Sequence, residues 1–448
     1  MAMSDASQPS SAIPAGRSAG LKFLLIIALT VAMAVPLFFI QLALSDREST
    51  ADSAVHDVSS GWGGAQATAG PVLFVPYVVT SDSIIDGKTV QSPQSLTAVL
   101  LPNTLSVKVS ATTGERWRGI FRVPVYKAAI TLHATFDKAA LANLIPKDAA
   151  VSWDRATVSI LVSDAHGLAD NVALSLNGRS IPFEPGIGRT GPAGIHATLG
   201  LDGLPGDLTL DTQFVLRGSR EFSVAPLGKR TTAAIESPWS SPSFFGAFLP
   251  TDRAVSDKGF TASWTVPYLA RGFEQSFGTP EEALQNVMSQ NFGVRFYQPV
   301  DYYQLIERSL KYAILFVALA FLTFFVIETV STRRLHAVQY AMVGAAQVLF
   351  YLLLLSLAEH VGFALSYLIA AGGTVALTGL YAISAFASKI RAALLTMILA
   401  TLYALLYVIL NAEDYALLIG SAVLFAALAA TMYATRRIDW HRLGAVPA

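Results

Sequence analysis

Six blocks of apolar residues constrain this chain more than any other feature. Leu21 to Leu44 is the first, with only Lys22 at its leading edge, and no comparable block recurs until Tyr312. Five then follow closely, at 312–330, 340–357, 362–387, 392–410 and 415–434. Each runs 18 to 26 residues, enough at about 1.5 Å per residue to cross roughly 30 Å of hydrocarbon. The expectation is six spanning helices. Composition agrees: 53% of the 448 residues are hydrophobic and 14% charged, and mean hydropathy is +0.50. With 31 basic residues balancing 31 acidic ones, the chain has neither the composition of a disordered polymer nor the basic excess of a nucleic-acid binder. Lacking cysteine, it has no disulfide, thiolate metal site or cysteine nucleophile.

Lys and Arg mark the cytoplasmic side of short connections. Arg17 and Lys22 flank the start of the first block, Arg333 and Arg334 follow the second, Lys389 and Arg391 the fourth, and Arg436, Arg437 and Arg442 the sixth. The alternate connections hold Glu359 with His360 and Glu413 with Asp414, without a basic residue. This pattern predicts both termini in the cytoplasm: a disordered tail at 1–20, a span at 21–44, a periplasmic domain at 45–309, a five-helix block at 310–435 and a tail at 436–448. The first block exceeds a signal-peptide core, so it reads as an uncleaved anchor. The segments left in the cytoplasm are too short to fold as a kinase or DNA-binding domain.

The exported segment reads as a mainly antiparallel β sandwich. Leu105, Val107, Val109 and Ala111 alternate with Ser106, Lys108 and Ser110, and Ile130 to Phe136 and Leu208 to Leu216 repeat that period-two signature. Asn177-Gly178 between two such runs predicts a type I′ hairpin turn. Asp137 to Leu144 and Pro280 to Ser289 read as short helices. From Asp46 to Ser309 there are 21 basic and 25 acidic residues, a net of −4, so no basic face draws the domain to anionic lipid.

Motifs that could carry chemistry sit in the wrong context. Gly16-Arg17-Ser18-Ala19-Gly20 fits G-x-S-x-G but lies in a tail that leads into an apolar helix, not on a strand-to-helix turn. Gly186 to Gly191 fits G-x-G-x-x-G, yet Pro192 follows at once and leaves no helix N-terminus for a pyrophosphate. No lysine has serine three residues before it, which removes the S-x-x-K nucleophile. His133 reads as a solvated strand residue, and His166 as part of an Asx-turn loop at Ser163 to Gly167. No catalytic, cofactor or metal residue is expected. The polar residues within or beside the spanning blocks carry more weight, because an ionisable group in hydrocarbon costs at least about 2.5 kcal/mol. These are Glu328, Gln339, Gln347, Glu359 and His360. They either line a polar path or serve structure, with Glu328 reaching Arg333 or Arg334 and the glutamines bonding between helices. Gly372 and Ala376 form a small-xxx-small pair suited to helix packing. Tyr297, Tyr302, Tyr303, Tyr312 and Trp440 sit where interfacial belts belong.

Several stretches together resemble the CreD family of bacterial inner-membrane proteins. They are Tyr303-Gln304-Leu305, Lys311 to Leu315, Phe324 to Glu328, Leu335-His336 with Gln339-Tyr340, and Phe350 to Leu355 leading to Glu359-His360. Pro242 to Pro250, Val255 to Phe260 and Ile438-Asp439-Trp440 extend the likeness. Departures are Ala337, where the family places proline after Leu-His, and His166, where it places arginine. The resemblance implies a Gram-negative protein tied to envelope integrity and stress, with altered tolerance to β-lactams on perturbation and no enzymatic activity. Its partners would be the lipid bilayer and an unidentified periplasmic or membrane protein, not nucleic acid. Two other functions stay open: a transporter or lipid-handling protein using the polar residues of the helix block, and a sensor that signals helix to helix to a two-component kinase.

Overall fold

The computed structural model describes residues 19–85, 88–169, 172–201, 206–277, 279–287, 290–296, 302–329, 331, 334–412 and 415–436. The tail expected at 1–20 therefore lies outside the described residues except for Ala19 and Gly20, as do Tyr297, Arg333, Glu413, Asp414 and 437–448, with Trp440. The chain divides into two compact units, one formed by Met1–Ser49 with Val300–Ala448 and the other by Thr50–Pro299.

The first unit is helical. Its described elements are α1 (Ala19–Ala32) and the start of α2 (Ala34–Trp62), then α5 (Tyr302–Lys311), α6 (Ala313–Thr329), α7 (Ala337–Val361), α8 (Phe363–Phe386), α9 (Lys389–Asn411) and α10 (Ala416–Thr435). Two short helices of the other unit, α3 (Lys138–Leu144) and α4 (Pro280–Val287), fall between them in the chain. Among the described residues, five helices are long and apolar enough to cross a membrane, and the count reaches six if α5 and α6, which meet at 49°, form one broken span. Two expected boundaries are corrected. The helix that begins in the first apolar block does not stop at Leu44 but continues to Trp62, because Ser45 to Ser60 contains no proline or glycine to break it. Tyr302–Lys311, expected inside the β domain as far as Ser309, is helical, with Tyr303, Ile306 and Ser309 buried on one face at helical spacing.

The helix packing follows from small and aromatic side chains. Phe321 and Phe324 of α6 pack on Tyr340 of α7, and Phe324 on Phe386 of α8. Gly344 of α7 lets Phe321 and Met33 approach so closely that a Cβ there would lie 2.7 Å from the Phe321 ring. Gly379 does the same for Thr396. Gly372 and Ala376, expected as a packing pair, are instead exposed, and no atom lies within 4 Å of a Cβ built at Gly372.

The second unit is a β sandwich. Its strands are β1 (Gln66–Ile85), β2 (Lys88–Leu100), β3 (Thr104–Arg118), β4 (Phe121–Phe136), β5 (Ala150–Val151), β6 (Thr157–Val162), β7 (Ala173–Leu176), β8 (Arg179–Pro182), β9 (Glu184–Pro185), β10 (Gly194–Thr198), β11 (Leu208–Ser219), β12 (Glu221–Val224), β13 (Arg230–Ser237), β14 (Pro242–Gly246), β15 (Asp252–Ser256), β16 (Gly259–Pro267), β17 (Ser276–Phe277) and β18 (Phe292–Phe296). One sheet runs β14-β18-β12-β1-β6-β10-β9, with β2, β5 and β17 attached through β1 and β2. The other runs β15-β16-β13-β3-β4-β11-β7-β8. Only β1 with β12 and β3 with β13 pair in parallel among the described strands, so the domain is mainly antiparallel. Alternate residues bury: in β13 each Thr or Ala facing inward is buried and its neighbour exposed. Both sheets feed one core, where Trp264 of β16 meets Phe292 of β18 at 5.2 Å and Tyr126 of β4 meets Phe296 at 4.9 Å. Asn177 (φ 48°) and Gly178 (φ 85°) form the expected turn between β7 and β8.

Candidate functional site

In the helical unit, polar side chains collect at both ends and in the middle. Glu328, in the last turn of α6, is buried, and its carboxylate forms an ion pair with the Lys22 ammonium. It also accepts from the Leu335 amide at 2.8 Å and from the Tyr340 hydroxyl at 2.7 Å, while Lys22 donates a second bond to the Leu335 carbonyl at 2.9 Å. The partner is therefore not Arg334, which is exposed, and Arg333 lies outside the described residues. Sequence reasoning missed Lys22 because 306 residues separate it from Glu328. Nearby, Arg391 donates to the Ser331 hydroxyl at 2.7 Å. Gln339 does not join this cluster. It caps α7, accepting from the His336 amide at 2.9 Å while the His336 ring accepts from Val338 at 3.3 Å. That reciprocal cap fixes the helix start at Ala337.

Gln347 lies mid-bundle, where the Tyr403 hydroxyl donates to its Oε1 at 2.5 Å and the Tyr367 hydroxyl donates to the Tyr403 carbonyl at 2.7 Å. Its Nε2 is buried without a hydrogen-bond partner. Glu359, at the opposite helix ends from Glu328, accepts from the Tyr303 hydroxyl at 3.0 Å and lies 3.9 Å from the Arg47 guanidinium. His360 is exposed, with Nδ1 3.1 Å from the Ser356 carbonyl of its own helix. The five sequence-selected residues thus occupy separate places and form no single site.

The β domain holds polar side chains chiefly for its own architecture. Gln66 of β1 donates to the carbonyls of Asp164 and Arg217, tying the two sheets together at 3.1 Å each. Asp164 accepts from the His166 amide at 3.0 Å and the His166 ring lies 2.8 Å away. Burial pushes the Asp164 carboxyl upward, but the bonds from His166 and Gly64 outweigh it and hold the group below its ordinary value. Arg271 is buried, donating to the Leu227 carbonyl and to Gln275 at 2.6 Å, and burial pushes it down to about 10. His133 pairs with Asp211 at 2.7 Å on an exposed strand face. Gly186 and Gly188 take positive φ in a loop, as the glycine-rich reading expects. Among the described residues, no group of His, Asp or Glu is placed to hold a metal.

A concavity lies on the outer face of the second sheet. About 610 Å³ is lined by Lys108 and Ser110 of β3, Thr131 of β4, Glu236 of β13, Asp252 and Arg253 of β15, and Thr261 and Ser263 of β16. A second hollow of about 460 Å³ shares Ser110, Glu236, Ala254 and Thr261 and continues toward Lys258. The strand register explains the shape. One row across the sheet reads Asp252, Ser263, Ala234, Lys108, Thr131, and the next Ala254, Thr261, Glu236, Ser110, Ala129. Small side chains alternate with the charged Asp252, Lys108 and Glu236 along these rows, a layout that the period-two pattern of β3 alone could not disclose.

Apolar helices of spanning length and a large two-sheet domain together define a multi-pass membrane protein. Residues 18–441 match the family model described as "Inner membrane protein CreD". The chain is also 34% identical over 410 residues to the protein of that name from Escherichia coli (strain K12), which covers 91% of this chain and 90% of that protein. The chain belongs to the CreD family of inner membrane proteins.

Proposed function

We propose that the protein supports integrity of the cell envelope through its β domain, which acts in the periplasm by binding and not by catalysis. The observation that carries this reading is the trough: a solvent-open concavity lined by Lys108, Glu236, Asp252 and Arg253, on a domain whose other polar clusters serve its own fold. Both termini are placed in the cytoplasm. That sidedness is supported by the gathering of Lys22, Arg391, Ser331 and Glu328 at one set of helix ends, with Glu359 at the other.

Complementation of a deletion strain tests it, scored by β-lactam survival and envelope leakage. The full chain and a chain ending at Pro299 are expected to rescue equally. Rescue only by the full chain, lost on Glu328→Ala, would overturn it. One observation favours a second reading, transport or lipid handling: Gln347 keeps an unpartnered, buried Nε2 within the bundle. Loss of rescue on Gln347→Leu with a normally folded protein would favour that reading.

A further inference from the structure

Strands at the ends of a sheet expose unpaired N–H and C=O groups, and proline is a common guard because it offers no donor. Four strands end the two main strand orders here. β14 contains Pro242, β9 contains Pro185 and β8 contains Pro182, whereas β15, Asp252–Ser256, contains none. All five β15 residues are exposed. Val255, on the face that opposes buried Phe260, is itself 51% exposed, and neighbouring Leu249 is 72% exposed.

The free hydrogen-bonding positions follow from the hairpin. Asp257 and Lys258 form a two-residue turn that joins the Ser256–Gly259 pair. Such a turn closes on a hydrogen-bonded pair, so Ser256, Ala254 and Asp252 bond to β16 and the intervening Val255 and Arg253 direct their backbone groups to the open edge. The trough borders this edge, and Asp252 and Ala254 line it. Edge and trough together meet the needs of an added strand, which takes main-chain bonds from the edge and places alternate side chains in pockets.

We propose that β15 and the adjoining trough dock an extended segment of a partner protein as an antiparallel strand. Charge and polarity specify the segment: an apolar residue opposite Val255, a small one opposite Ala254, an acidic one opposite Arg253 and a basic one opposite Asp252. This deepens the binding role proposed above and rests on it.

The probe is the capped fluorescent peptide TTVSEKT, titrated by anisotropy against the full-length protein in phosphatidylethanolamine–phosphatidylglycerol nanodiscs. Saturable binding is expected, weakened at least about tenfold by Val255→Pro, which removes an edge donor without removing a bond to β16. Asp252→Lys with Arg253→Glu should lose the peptide and regain one with its Glu and Lys exchanged. Should Val255→Pro disturb folding, N-methylation of the peptide valine removes the reciprocal bond of the same pair, the one its N–H donates to the Val255 carbonyl, and is expected to abolish binding. Equal binding to wild type and Val255→Pro, or no binding to wild type, would overturn the proposal. So would dimerisation of the wild type that Val255→Pro abolishes, since the occupant would then be a second copy. Failure here with rescue by the chain ending at Pro299 discards this docking mode alone, whereas binding without that rescue discards the functional reading.

Discussion

Glu328 shows how much one side chain can be asked to hold. Three donors converge on it from three segments, Lys22 of α1, the Leu335 amide and Tyr340 of α7. Glu328→Ala leaves the Lys22 ammonium and a buried hydroxyl without their acceptor, and a broken buried pair costs about 3–5 kcal/mol. Lys22→Met with Glu328→Leu should recover much of that loss, because no charge is then stranded. Unfolding of the single and double variants in detergent micelles, compared with wild type, measures both. Asp164 offers a residue-scale test by pH. Its folded carboxyl is held below its unfolded value, so its contribution to stability is present at neutral pH and is lost as pH falls through the folded value. Asp164→Asn is therefore expected to lower urea stability at about pH 7 and to converge with wild type only as pH falls below the carboxyl's folded value.

Among elements, the glycines separate turns from close contacts. Gly178 has positive φ and open space around it, so Gly178→Ala costs only backbone conformation, about 1–2 kcal/mol. Gly293 in β18 has ordinary φ, yet a Cβ there would lie 2.0 Å from the Phe222 carbonyl. Gly293→Ala should separate β18 from β12 and prevent the domain from folding, as read by tryptophan fluorescence and protease resistance. The first of these was legible in the sequence, since Asn-Gly between alternating runs encodes its turn locally. The second was not, because its reason is a neighbour more than seventy positions away. The same division runs through the fold. Hydrophobic length marked the spans, and period two marked β3, β4 and β11. The parallel pairing of β3 with β13 and the partner of Glu328 depend on long-range contacts that leave no local trace. Residues 45–62 and 302–309 read as part of the β domain because polar helices flanking a span carry no hydrophobic-length signal. The trough was invisible for a related reason: five strands contribute one to three small residues each.

At the scale of the molecule, sidedness is the property most open to test. Because the chain contains no cysteine, a single introduced thiol is unambiguous. Ala412→Cys should react with an impermeant maleimide in intact spheroplasts and Lys389→Cys only after permeabilisation, and the reverse result would invert the proposed topology. The Lys22–Glu328 pair also has a consequence for how the protein is made. At a bacterial elongation rate of about 5–20 residues per second, the 306 positions between the two side chains take roughly 15 to 60 s to synthesise. Throughout that interval the first helix exists with its ammonium unanswered, while the whole β domain is being produced behind it. Until α6 arrives that ammonium is met by water or lipid head groups in place of its carboxylate, so the lifetime of a half-built chain is written into the distance between two charges.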